Sequence, residues 1–257
     1  MVWDSPHFLA LPERTHKPRA AGLTHVLDKG SPPALLAAML EGAGELVDVL
    51  KVGWGIAYLD RTLKARAALC QAAGVVVSLG GTLLEVAALQ GKIGELSAWA
   101  AEQGVGAVEV SNGLQGLSWA AKAALVGELA ATFTVLAETG AKDDRVEVVP
   151  ARWVEEMTAD LDAGARWVIA EGRESGTVGL FRSDGSVREE LVELIAARLP
   201  LERVIFEAPR KAQQAWFIRQ LGPQVNLGNI PIDEVLPLET LRLGLRSDTA
   251  APTRGGA

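Results

Sequence analysis

Eight short apolar runs alternate with helical stretches along this chain, and nearly every run stops abruptly at glycine or charge. The runs fall at residues 23–27, 46–50, 75–79, 107–110, 133–137, 167–170, 203–206 and 225–227. Helical periodicity is predicted over about 31–40, 62–73, 93–103, 118–130, 150–163, 187–198, 212–221 and 238–245. Ser31 reads as an N-cap with proline in the first turn behind it. Gly74, Gly104 and Gly164 read as helix-ending glycines. Strands separated by helices, at a spacing of roughly 20–35 residues, must lie parallel, and eight such units close a ring. The expected fold class is α/β, a single-domain TIM-type (β/α)8 barrel over residues 21–249. Residues 1–20 form an N-terminal arm and 250–257 a flexible tail. The rival is an open doubly wound sheet, but no GxGxxG or Walker loop opens a helix.

The totals narrow the function. A net charge of −7 with no basic patch excludes nucleic acid as a partner. The single cysteine, Cys70, falls within a helical stretch and allows no internal disulfide, which fits a reducing compartment. It reads as packing rather than as a nucleophile. No run is long enough to span a bilayer and the first residues lack a signal pattern, so a soluble, cytoplasmic protein without membrane contact is expected. A homo-oligomer is compatible with Trp99, Trp153 and Trp216 on helices, which leaves core, interface and surface all open.

The strand ends carry the chemistry. In a barrel of this type the segments after the strands build the active site. There lie Asp28, Glu85, Glu109, Glu138, Glu171, Glu174 and Glu207, with Lys29, Lys51, Lys142, Arg173, Arg210 and Lys211. A rim of ion pairs is the plain alternative for any one of them. It accounts poorly for the coincidence of charge with glycine at so many strand ends, above all in Glu171-Gly172-Arg173-Glu174-Ser175-Gly176. Carboxylates without a His/Cys cluster suit Mg2+. Its candidate ligands are Glu109, Glu138, Glu171 and Glu207. His25, inside the first strand, reads as a packed barrel residue. The lysines and arginines suit an anion bearing phosphate and carboxylate. Its candidate contacts are Lys29, Lys51, Arg173, Arg210 and Lys211, with Gly228 and Asn229 where barrels often bind phosphate.

Seven blocks then become specific. GLTHVLDKG (22–30), LKVGWG (50–55), GGTLLE (80–85), AVEVSNG (107–113), EGRESG (171–176), VIFEAPRKAQQ (204–214) and NLGNIPIDEVLPLETLRLGLRSDT (226–249) resemble the phosphosulfolactate synthase family of coenzyme M biosynthesis. The resemblance covers about residues 20–249. It implies a Mg2+-dependent carbon–sulfur lyase that adds sulfite to phosphoenolpyruvate, giving (2R)-phospho-3-sulfolactate. It also implies a general acid from the family's Glu-x-Gly-Lys-Lys run, which is Glu138-Thr139-Gly140-Ala141-Lys142 here. Lys142 is the candidate acid, with Glu171 and Arg173 as the other candidate catalytic residues. The chain departs from the family at Ala141, at Asn112 (aspartate in the family) and at Ser247 (glycine in the family). Two alternatives follow. One is a related barrel enzyme that adds a different nucleophile to an enol phosphate. The other is a non-catalytic, stress-associated relative, as plants carry.

Overall fold

The computed structural model describes residues 8–114, 116–141 and 145–250. The first half runs β1 (Thr24–Asp28), α1 (Pro33–Ala43), β2 (Val49–Val52), α2 (Ile56–Leu59), α3 (Leu63–Ala72), β3 (Val76–Leu79), α4 (Gly81–Leu89), α5 (Ile93–Glu102) and β4 (Ala107–Val110). The second runs α6 (Trp119–Ala130), β5 (Thr134–Thr139), α7 (Pro150–Asp162), β6 (Trp167–Ala170), α8 (Glu189–Arg198), β7 (Val204–Glu207), α9 (Lys211–Leu221), β8 (Asn226–Pro231) and α10 (Val235–Arg242). All eight strands pair parallel in sequence order, and β8 returns to β1, so the sheet closes on itself. The open-sheet rival is excluded. Among the described residues no helix is long and apolar enough to cross a membrane.

Two cores follow from the two-residue period of a strand. Side chains facing outward, such as Val108, Val135, Val168, Val204 and Phe206, pack with the helices in one large cluster. Those facing inward begin as a separate apolar floor of Leu23, Ala107, Leu136, Ile169 and Ile205. Two residues further along, on the same face, stand His25, Glu109, Glu138, Glu171 and Glu207, all buried. The barrel is therefore apolar in its lower half and charged in its upper half.

The lower end is pinned. Arg242, buried on α10, donates to the carbonyl oxygens of Pro223 (2.6 Å), Val225 (2.7 Å) and Leu23 (3.0 Å), tying β8 to β1. Residues 14–19, expected as an arm, also grip this end. Arg14 pairs with Glu239 at 2.8 Å and Arg19 with Asp48 at 3.0 Å. Lys17 donates to the carbonyl oxygens of Gly44 and Ala73.

Some local expectations are corrected. Ser31 is not the cap of α1; Pro32 holds that position with no side-chain bond, and the Ser31 N–H donates to Asp28 Oδ1 at 2.8 Å. The segment from Gly81, where no helix was expected, is helix α4. Gly74, Gly104 and Gly164 do adopt positive φ after their helices. Trp153 is buried, while Trp99 and Trp216 are half-buried against the core. Cys70 is fully buried, and burial pushes its thiol up to about 11, which removes it as a nucleophile.

Candidate active site

The upper ends of the strands enclose a cavity of about 300 Å³. Lys51, Gly53 and Trp54 line it from the end of β2, and Gly80, Gly81 and Thr82 from the start of α4. Glu109 comes from β4, Glu138 from β5, Glu171, Arg173 and Glu174 from the segment after β6, Glu207 from β7 and Asn229 from β8. Residues more than a hundred positions apart in the chain thus meet at one mouth.

Lys51 stands at the centre. Its ammonium lies 3.1 Å from Glu109 Oε2 and 3.1 Å from Glu207 Oε1, on opposite sides of the ring. Burial works against its charge, but Glu109, then Glu207, Glu138 and Glu171 outweigh it and hold its pKa well above the ordinary lysine value. One cation does not balance four carboxylates. Burial first, with Glu138 adding to it against the pull of Lys51, drives Glu109 up to about 8. Beside the carboxylates, burial and then Lys51 push His25 well below the usual histidine value, so its ring is neutral. Neither His25 nitrogen has a hydrogen-bond partner.

The backbone orients these side chains. The Gly172 N–H donates to Glu207 Oε2 at 2.9 Å, and the Arg173 N–H to Glu171 Oε1 at 2.6 Å. The Gly81 N–H donates to Glu109 Oε1 at 3.2 Å. Lys122 on α6, fully buried, spends its three protons on the Glu138 carbonyl oxygen (2.7 Å), Glu156 (2.6 Å) and Asp160 (2.7 Å). It anchors the end of β5 to α6 and α7.

The donor set fits a small hard cation. Glu138, Glu171 and Glu207 each offer an oxygen, and these oxygens lie within 4.8 Å of one another. Opposed ligands of an octahedral Mg2+ are about 4 Å apart, so one ion can reach all three after small adjustments. Asn229 Oδ1, in a residue only 4% exposed, has no partner and belongs to the same cavity. It is a further oxygen acceptor of the kind such an ion takes.

Among the described residues, three non-glycine residues have positive φ: Trp54 (51°), Arg173 (55°) and Asn229 (54°). All three line this cavity. Such backbone costs about 1–3 kcal/mol per residue and collects where a side chain must be aimed.

Other expected site residues lie elsewhere. Lys29 and Arg210 are exposed and outside the lining. Lys211, also outside it, pairs with Asp248 at 3.1 Å. Gly228 sits within β8 rather than after it and faces His25 and Glu207 inside the barrel. Asp28 is bound to Arg66 at 2.5 Å and to the N–H groups of Gly30 and Ser31, which shapes the turn after β1. Glu85 accepts from the Ser111 hydroxyl and from the Leu114 N–H. Asn112 exchanges two hydrogen bonds with the Leu117 backbone, at 2.7 and 2.9 Å, and stays off the cavity lining. The candidate acid Lys142 lies outside the described residues. Sequence reasoning missed Trp54, whose signal was a tryptophan between two glycines, and Lys122, whose signal was Glu156 and Asp160 one helical turn apart.

This geometry can be set beside known proteins. The model of the family "(2R)-phospho-3-sulfolactate synthase (ComA)" matches residues 12–248. The chain belongs to that family. A phosphosulfolactate synthase of Bacillus subtilis (strain 168) is 39% identical, over 94% of this chain and 97% of its own. One of Methanothermobacter thermautotrophicus (strain Delta H) is 42% identical, over 93% and 95%. Membership makes this chain a lyase-type enzyme with small-molecule substrates, and it favours the synthase reading over the two alternatives. Among solved structures, 3-hexulose-6-phosphate synthase matches with a TM-score of 0.57 at 14% identity, covering 86% of this chain and 98% of that one. The YdjI aldolase from Escherichia coli K12 matches at 0.55 and 13%, covering 82% and 75%. At such identities the likeness is one of fold.

Proposed function

We propose that this enzyme joins sulfite to phosphoenolpyruvate, giving (2R)-phospho-3-sulfolactate, with Mg2+ held by Glu138, Glu171 and Glu207. The observation that carries the reading is the convergence of these three buried carboxylates with Lys51 and Arg173 in one small cavity. A trianionic substrate meets repulsion from so many carboxylates, which supports a divalent cation sharing the space beside Lys51 and Arg173. When bound, Mg2+ would draw off the negative charge that develops on the substrate carboxylate.

The chain's own groups supply the rest. Sulfite sulfur bonds to the methylene carbon, and the π electrons of the double bond move onto the neighbouring carbon and its carboxylate. Lys51, kept cationic by its neighbours, stabilises that charge more in the transition state than in the substrate. The start of α4, with Gly80, Gly81 and Thr82 on the cavity wall, presents the positive end of a helix to phosphate or carboxylate. Arg173 adds a second cation. The proton that completes the product comes from Lys142, the retained lysine of the family run, and is replaced from solvent.

Purified protein with Mg2+ should consume phosphoenolpyruvate only when sulfite is present, with a product of the matching mass. Consumption driven by another nucleophile, or none at all, would overturn the assignment. Of the three departures from the family, Asn112 bonds the Leu117 backbone and is not among the residues lining the cavity. Ala141 and Ser247 remain, and the same assay run with a panel of nucleophiles addresses them.

A further inference from the structure

We infer that Trp54 is a substrate-selecting residue, an aromatic wall that fits the cavity to a three-carbon enol phosphate. The inference rests on the reading above. Trp54 lines the cavity three positions after Lys51, yet it is 41% exposed, so it is not there to fill the core. Its φ of 51° is one that bulky side chains avoid. Glycine would adopt that backbone without strain, and glycines stand on both sides of it at 53 and 55. The strain is tolerated for the side chain.

The neighbouring backbone leaves Trp54 no way to relax. The Gly53 N–H donates to the Asp28 carbonyl oxygen at 2.9 Å, and the Gly80 N–H to that of Val52 at 3.0 Å. A Cβ on Gly80 would sit 2.9 Å from the Trp54 nitrogen, so these two segments pack backbone to backbone. Arg173 and Asn229, the other residues held at positive φ, face the same space.

The chemistry of the lining says what the indole meets. Lys51, Arg173 and the carboxylates suit the charged groups of the substrate. Leu27, Leu114 and Trp54 are the apolar remainder of the wall. The uncharged part of phosphoenolpyruvate is its methylene carbon, where the new bond forms. An indole against that carbon keeps bulk water from it and refuses a substituent on it.

The test compares the wild-type enzyme with Trp54→Phe and Trp54→Ala. Phosphoenolpyruvate and 2-phosphoenolbutyrate, which carries one methyl group on the reacting carbon, are assayed with Mg2+ and sulfite. A pocket wall that excludes one methyl group discriminates by about 10–200-fold. Trp54→Ala should cut the preference for phosphoenolpyruvate by about tenfold or more and weaken its binding in calorimetry, with the melting temperature preserved. Trp54→Phe should retain most of the preference. Equal preference and affinity in wild type and Trp54→Ala would overturn the inference while leaving the synthase reading intact. So would unchanged kinetics with a shift in sedimentation, which would make Trp54 a subunit contact. If the wild type neither binds nor consumes phosphoenolpyruvate, the functional reading falls and takes this inference with it.

Discussion

The Lys51 ammonium reaches across the barrel to the Glu207 carboxylate at 3.1 Å, although β1 and β8 stand between their strands. It is the cation around which the interior charge is arranged. Lys51→Met should leave the ring of carboxylates without its resident counter-ion. Added Mg2+ should then raise the melting temperature more than it does for wild type, while kcat/KM falls by at least about a hundredfold through the lost charge stabilisation. Thermal melts with and without Mg2+, beside steady-state kinetics, measure both. An equal Mg2+ response in the two proteins would argue against this role.

Glu109 ties stability to pH. Burial drives its carboxyl in the fold up to about 8 from the ordinary 4.5, although Lys51 at 3.1 Å pulls the other way. The stabilisation is fully present below 4.5 and is lost as pH rises through about 8. In EDTA, urea unfolding should show wild type losing up to about 5 kcal/mol across that window from this group. Glu109→Gln, which mimics the protonated form, should flatten the profile.

Lys122 is the sole counter-charge placed within 3 Å of both Glu156 and Asp160 among the described contacts. Lys122→Met should cost about 3–5 kcal/mol, because it strands buried carboxylate and frees the Glu138 carbonyl oxygen. Adding Asp160→Asn to that variant should recover part of the loss. Denaturant melts of wild type, the two single variants and the double variant would show it; full additivity of the changes would contradict the coupling.

Gly140 carries φ of 135°, and a Cβ there would stand 2.8 Å from Trp153 Cη2 as well as against Glu171 Cβ. Gly140→Ala should destabilise by about 2–4 kcal/mol and disturb Glu171. Loss of Mg2+ binding in calorimetry, under conditions where the variant remains folded, reads the second effect. Unchanged stability would show that the strand end has more freedom than its contacts imply.

The barrel was legible because its signal is a repeat, and repetition survives small errors at element ends. The inward charges were legible too: Ala107, Leu136, Ile169 and Ile205 each precede a glutamate by two residues, and that spacing keeps both on one face. What sequence could not show is reach. Arg210 and Lys211 follow β7 by three and four residues, only two further than Gly53 and Trp54 follow β2, yet they open α9 and lie outside the cavity lining. Glycines at 80 and 81 imitate a loop, so the helix that begins there was missed, and with it the positive helix end at the mouth. Lys122 could not be picked out from the sequence because its three acceptors come from β5 and α7, well along the chain.

Four of the fasteners of this molecule, Arg14, Lys17, Arg19 and Arg242, sit at the end away from the cavity, and they close the ring there. Holding the ring shut and doing chemistry are thus assigned to opposite poles. Segments on the catalytic pole that Lys122 and Gly140 do not brace can be lengthened, shortened or exchanged without undoing the closure. A chain built this way is a convenient chassis for grafting new loops, and drift in its reactivity need not endanger its folding.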